Sequence, residues 1–447
     1  MRKDSGKDNT EMKAKKQPGE ASLRLNENES ISGDKIDSLV EKAVFGVDDQ
    51  TRGEHQRLIR RLASTRGIFL ASIQGLYEAA GKGFYHGITV PAINIRGLTY
   101  QVARAVFRTA LKHYAGAFIF EIARSEIDYT KQPPAEYATC VLAAAIREGF
   151  QGPVFLQGDH FQVNQSKYHS EPEKEINTIK QLIQEAVRAG FLNIDIDAST
   201  LVDLEKQSLE EQQKNNCLVT ADMTKFIRSL EPEGVTISIG GEIGEVGKRN
   251  STVDDLGAFM NGYLASLGPD IKGISKISVQ TGTTHGGVVL PDGAIAKVNL
   301  DFETLKELSK VAREEYGMSG AVQHGASTLP DEAFGLFPQV GTAEVHLATG
   351  FQNIIYDSPH FPRELLQKIN RHLLDNYNRE RKPADTEEQF LYKTRKKAWG
   401  DFKKEIWNIP EENLREIRET LENRFSLLFQ RLNVVETTGL VSKFVVK

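Results

Sequence analysis

Cysteine is almost absent. The chain has only Cys140 and Cys217 and no Cys-x-x-Cys pair, which excludes a disulfide framework or a thiolate zinc site and fits a reducing cytosol. Long apolar runs are missing as well: no stretch approaches the ~20 apolar residues a spanning helix needs. The polar N-terminus has no apolar signal-peptide core. Charge of one sign does not dominate either. With 56 basic against 61 acidic residues and a net of −5, nothing points to nucleic acid or to a membrane surface. The expectation is a soluble cytoplasmic protein. At 447 residues and 39% hydrophobic, the chain can bury one large core or two medium ones.

Residues 1–30 are charged and nearly free of aromatics, too polar to offset the entropy of ordering, and are read as a disordered tail. Over 31–86 apolar residues such as Leu39, Val40, Val44, Leu58, Ile59 and Leu62 recur at helical spacing, and Ile68 to Tyr77 reads as a more buried helix. From Gly87 the rhythm changes. Short apolar runs at 89–95, 117–122, 153–157, 192–198, 235–239, 276–280, 321–323 and 344–347 alternate with amphipathic stretches, except that a long polar loop is read after Ile239. Near-continuous apolar strands alternating with helices indicate a buried parallel sheet. Eight such units over 87–358 predict an α/β fold, a (β/α)8 TIM barrel, over an open doubly wound sheet. No Gly-x-Gly-x-x-Gly follows the first strand, which weakens a dinucleotide-binding reading further. Over 359–447 the pattern is helical only, an appendage expected to pack on the barrel or on another subunit.

In such barrels the chemistry sits at the C-terminal ends of the strands. That rule selects Asn94, Ser125, Asp159 with His160, Asp197 with Ser199, Glu242, Thr283 with His285, His324 with Ser327, and His346 with Thr349. His160, His285 and His324 follow the third, sixth and seventh strands, each close to a glycine (Gly158, Gly286 and Gly325). His346 falls inside its strand and is set apart. Three imidazoles with an open position form a common catalytic zinc set; the plainer alternative is three separate histidines hydrogen-bonded near turns. Their shared depth in the barrel favours one metal. Asp159 precedes a ligand, so its side chain is expected to point elsewhere, placed for proton transfer. Asp197 and Glu242 are candidates for orienting a ligand or for a second metal position. Asp195 faces the same way as Asp197 but deeper.

At these residues the chain resembles the class II, zinc-dependent fructose-bisphosphate aldolase family. The resemblance runs from about Gly87 to Asp357, through Val-Pro-Ala-Ile-Asn-Ile at 90–95, Gly-Asp-His at 158–160, Ile-Asp-Ala-Ser at 196–199 and Gly-Glu-Ile-Gly at 241–244. Gly-Thr-Thr-His-Gly at 282–286, Asn-Leu-Asp-Phe-Glu-Thr-Leu-Lys at 299–306 and His-Gly-Ala-Ser at 324–327 complete it. It implies a zinc ion held by His160, His285 and His324, with Asp159 as the acid/base for the C4 hydroxyl. Asp197 and Glu242 would match a secondary metal position. Gly286, Gly325 and Ser327 would bind a substrate phosphate, and Asn94 and Ser125 match positions near the substrate. A phosphorylated sugar substrate and a homodimer or larger homo-oligomer are implied as well.

The departures concern the substrate. Where the family's last strand ends Asn-x-Asp-Thr-Asp, this chain has His346-Leu-Ala-Thr-Gly350, keeping only Thr349. Where the family's mobile loop carries a pair of acids, this chain has Arg249 and Asn250, with Glu245 as a substitute. Two other readings stay open. One is a zinc-dependent barrel hydrolase, weakened because no His-x-His ends the first strand. The other is a non-catalytic aldolase-like subunit that has lost its substrate residues.

Overall fold

The computed structural model describes residues 32–244, 246, 249–282 and 300–445. The tail expected over 1–30 lies outside them, as do Glu245, Thr283, His285 and Gly286. Among the described residues, nine strands form one sheet: β1 (Ile68–Ala71), β2 (Val90–Asn94), β3 (Ile119–Ala123), β4 (Gly152–Gln162), β5 (Asn193–Asp197), β6 (Ser238–Glu242), β7 (Lys276–Ser278), β8 (Ala321–Gln323) and β9 (Glu344–Leu347). From β2 to β9 each strand pairs in parallel with the next, and β9 pairs back with β2 through Val90↔Glu344 to Ile93↔Leu347. This closes the eight-stranded (β/α)8 barrel. β2, β3 and β5 are buried along their whole length, because one face meets helices and the other the barrel interior. The helices between them begin and stop on local signals. Pro134 and Pro172 take the first helical turn, and Gly149 and Gly190 end two of the helices in the left-handed region at φ 73° and 92°.

Two expectations are corrected. Ile68 to Tyr77 is not one helix: Ile68–Ala71 pairs with the first half of β4, and the helix starts only at Gln74. A short apolar run reads equally as strand or helix until its pairing partner is known. The polar stretch after β6 is not a loop throughout, since it contains the helix Val253–Leu267 with a capping box between Thr252 and Asp255. Gly257 and Gly262 lower the helix propensity of that segment. Gly262 is required by packing: a Cβ there would sit 2.9 Å from Cys217 Sγ on the neighbouring helix.

The barrel interior is polar where branched aliphatics usually stack. Lys276 Nζ, fully buried, donates to Gln157 at 2.8 Å and Asp195 at 2.9 Å, and to Glu344. Tyr77, from the helix after β1, closes the floor by donating to the other Glu344 oxygen. Asn193 Oδ1 accepts from Ile73 N at 2.8 Å, tying this N-terminal segment under β5. The C-terminal helices pack on the barrel of their own chain. In helix Glu411–Arg431, Arg418 donates to Gln101 at 2.7 Å and Phe429 stacks on Phe118. No described helix is long and apolar enough to cross a membrane.

Candidate active site

The C-terminal ends of β2, β3, β4, β6, β8 and β9 surround a cavity of about 310 Å³. Asn94, Ser125, Asp159, His160, Glu242, His324, Gly325, Ser327 and Thr349 all line it. Asp197 stands just behind, its Oδ2 3.0 Å from His160 Nδ1. His285 and Gly286 are outside the described residues.

The strand alternation that should turn Asp159 away from His160 is broken. The β4–β5 register slips between Gly158 and Phe161, and His160 takes φ 40°, a left-handed conformation that costs a non-glycine residue energy and recurs at functional sites. Through this bulge both side chains enter the same cavity, with Asp159 Oδ1 3.7 Å from His160 Nε2. Bulges re-aim side chains in this way.

His160 is the hub. Its Nδ1 faces Asp197 and, at 3.2 Å, Glu242; its Nε2 lies 3.1 Å from His324 Nδ1. The far nitrogen of His324 meets Ser278 Oγ at 2.9 Å. Burial disfavours a charge on His160, yet Asp159, Glu242 and Asp197 together raise its pKa well above the usual value. Asp197 is held below the normal carboxylate range: burial opposes this, but His160, Ser199 and Gln162 outweigh it. Burial and the nearby Asp197 push Glu242 up. The field at the centre of this group therefore favours a cation. One ligand atom each from His160, Glu242 and His324 lies within 4.8 Å of the others. Two imidazoles and a carboxylate are a donor set that fits a divalent metal of borderline softness.

Asp159 is held separately. Asn94 Nδ2 lies 3.5 Å from Asp159 Oδ2 and donates at 2.6 Å to Glu126. His346, set apart in the sequence, lines the cavity, its ring centroid 4.0 Å from that of His324. Its Nδ1 is 3.0 Å from Glu121 and 3.3 Å from Asp159, and its Nε2 is 2.7 Å from Glu344. Burial opposes a charge on this imidazole, but Glu121 and Asp159 raise its pKa far above the usual value. Burial and Asp159 in turn raise Glu121 to about 7. Sequence reasoning selected His346 and set it apart without a role, and it missed Glu121, Arg96, Glu126 and Lys396. A usable signal for His346 was period two: Glu344 and His346 share a face, and Glu344 opposes Val322, two residues before His324. Arg249 and Asn250, at the positions of the family's loop acids, pair away from the cavity with Asp255 and Asp301.

Residues 73–418 match the family described as fructose-bisphosphate aldolase class-II. No curated protein matches the chain. Among solved structures, a fructuronate-tagaturonate epimerase from Cohnella laeviribosi is 11% identical with a TM-score of 0.59, over 85% of this chain and 86% of its own. A probable tagatose 6 phosphate kinase from Sinorhizobium meliloti 1021 is 14% identical with a TM-score of 0.56, over 80% of this chain and 99% of its own. A fructose-bisphosphate aldolase from Campylobacter jejuni is 17% identical with a TM-score of 0.49, over 83% and 96%. At these identities the first two bear on the barrel fold alone.

Proposed function

We infer the reaction from one premise: the chain belongs to the class II fructose-bisphosphate aldolase family. The reading is a zinc-dependent aldolase that reversibly cleaves a ketose phosphate, such as fructose 1,6-bisphosphate, to dihydroxyacetone phosphate and an aldehyde. One observation carries most of its support. The bulge in β4 brings a carboxylate, Asp159, into the same cavity as the His160, Glu242 and His324 donors.

Retro-aldol cleavage needs a proton removed from the C4 hydroxyl and an electron sink at the carbonyl two carbons away. Zinc, when bound by His160 and His324 with His285, supplies that sink as a Lewis acid. Asp159 takes the hydroxyl proton, oriented by Asn94 and faced by the positive imidazole of His346. Asp197 fixes the His160 ring, and Glu242 completes the donor set or serves a second ion. Gly325, Ser327 and Thr349 offer amide and hydroxyl groups to a phosphate. A Schiff base on Lys276 is not supported. Burial opposes a charge on Lys276, but Asp195 and Glu344 keep it protonated, and imine formation needs a neutral amine.

The test is a panel of ketose phosphates with the metal-replete protein, with and without chelator. Two readouts are used: triose phosphate release, and exchange of the dihydroxyacetone phosphate methylene proton with solvent. Chelator-sensitive cleavage and exchange are expected. Zinc-replete protein showing neither would overturn the reading in favour of a non-catalytic subunit, and ester or amide hydrolysis in its place would favour the barrel hydrolase. A C4 epimer formed without triose release would make it an epimerase working through the same bond cleavage, the reaction class named for the Cohnella structure.

A further inference from the structure

We propose that Lys396, carried by the C-terminal appendage, binds the anionic terminal group of the sugar together with Arg96. It would thereby make this barrel selective for ketoses that end in a phosphate or a carboxylate. The inference rests on the reading of the cavity as a sugar site and adds the residue that selects among sugars.

Three consecutive basic residues, Arg395, Lys396 and Lys397, form a single turn after helix Glu387–Thr394. The outer two are neutralised. Arg395 pairs with Asp357 at 2.5 Å and donates to Asn353 at 2.7 Å, lying over the Tyr392 ring. Lys397 pairs with Glu380 and lies over Tyr377. The middle one, half-buried, lies 5.8 Å from the centroid of the Tyr129 ring and lines the cavity of the candidate site. Among the described residues no carboxylate lies within ion-pair distance of its ammonium group.

Its neighbour across the cavity is a second cation. Arg96 uses Nε on Glu126 at 2.7 Å and Nη1 on Thr349 at 3.3 Å. Among the described residues that line this side of the cavity, Glu126 is the carboxylate paired with Arg96, and it also accepts from Asn94 and from the Ala123 amide. Two cations against one acid leave this part of the wall positive, whereas the floor around Glu121, Asp159 and Glu242 is acidic. Burial lowers the pKa of Lys396, and Arg96 lowers it further. Holding two like charges in a half-buried wall costs energy unless an anion sits between them. The hydrogen-bonded run Asp159–Asn94–Glu126–Arg96 connects this wall to the proposed base.

The placement of Lys396 is fixed by close packing. A Cβ at Gly97 would overlap the Trp399 ring, and one at Gly400 would overlap the Tyr129 carbonyl. Trp399 Nε1 also donates to Gln352 at 3.1 Å. The segment that carries Lys396 is thus seated against the loop after β2 and against helix Arg124–Thr130.

The test uses equilibrium binding to the full chain, so that it does not depend on catalysis. Sorbitol 6-phosphate, gluconate and sorbitol serve as non-cleavable probes with a phosphate, a carboxylate and a neutral end. At least one anionic probe is expected to bind roughly tenfold or more tighter than sorbitol. K396M should remove that advantage and K396R should keep most of it. The probe that loses affinity identifies the anion. If neither anionic probe binds better than sorbitol, or if K396M retains the preference, the proposal fails. Charge-selective binding that depends on Lys396, in a protein that cleaves no ketose, would support this site while sinking the aldolase reading.

Discussion

Nε2 of His160 and Nδ1 of His324 face each other at 3.1 Å, although they come from β4 and from the turn after β8. Behind His160, Asp197 holds the opposite ring nitrogen and is itself fixed by Ser199 at 2.6 Å and Gln162 at 2.5 Å. Carboxylates behind a ligating histidine set its orientation and basicity. Asp197→Asn is therefore expected to weaken zinc binding about 10–100-fold. Competition with a fluorescent chelator measures this, and unchanged affinity would remove Asp197 from the metal centre.

Asp159→Asn separates proton transfer from metal binding. The amide keeps the size of the side chain but cannot take a proton. Zinc content should stay at the parental level while ketose cleavage falls about 10²–10⁴-fold. If cleavage survives, the base lies elsewhere.

Much of this was legible in the sequence because strand ends and βα alternation are local signals. The bounds of β8 and β9 match the runs read at 321–323 and 344–347, and Asp159, His160, His324 and Glu242, selected by position alone, line one cavity. What escaped depended on tertiary pairing. β1 shows as a strand only once β4 lies beside it. The shared orientation of Asp159 and His160 depends on a bulge and one positive φ, which residue identities do not announce. His346 is set apart in the sequence for falling inside its strand, a criterion suited to a group at the strand end and not to an imidazole buried among carboxylates. Lys396 lies far along the chain from the barrel strands, and only the docking of the appendage brings it to the cavity.

His346→Gln tests the interior charge balance. The imidazole answers Glu121, Asp159 and Glu344 at once. Removing one partner of a buried ion network leaves charges uncompensated, at a cost of about 3–5 kcal/mol. Urea denaturation should show a loss of that order. A loss below about 1 kcal/mol would mean that the acids re-protonate readily and that His346 does not hold the network.

Glu148 gives the acid limb of stability, well away from the cavity. It ties helix Thr99–His113 to helix Pro134–Glu148 through Arg104 at 2.6 Å and Arg108 at 2.7 Å. Burial alone would raise its pKa, but the bonds from Arg108 and Arg104 hold it below the usual 4.5. With the folded value depressed, its contribution is complete above the unfolded value and is lost as pH falls through the folded one. Glu148→Gln should cost roughly 1.5–3 kcal/mol at pH 7. The difference from the parent should shrink as the pH drops below about 4.5, which thermal melts across roughly pH 3–7 can measure. A difference that does not change with pH would show that the carboxylate charge is not what matters.

Gly97→Ala asks whether the appendage must be seated for the site to work. The added methyl group would collide with Trp399, a ring packed 4.6 Å from Tyr356 and bonded to Gln352. Since neither side is a flexible tip, either the loop after β2 or residues 395–400 must give way, and such overpacking costs about 1–3 kcal/mol. The metal donors on β4, β6 and the turn after β8 do not touch this contact, so zinc content should hold. Arg96, one residue before Gly97, and Lys396, three before Trp399, should shift apart. The variant should therefore bind zinc like the parent, be cut faster by protease near 381–386, and lose affinity for the anionic probe. Parental affinity together with faster cutting would show that the appendage stabilises the barrel without shaping its ligand site.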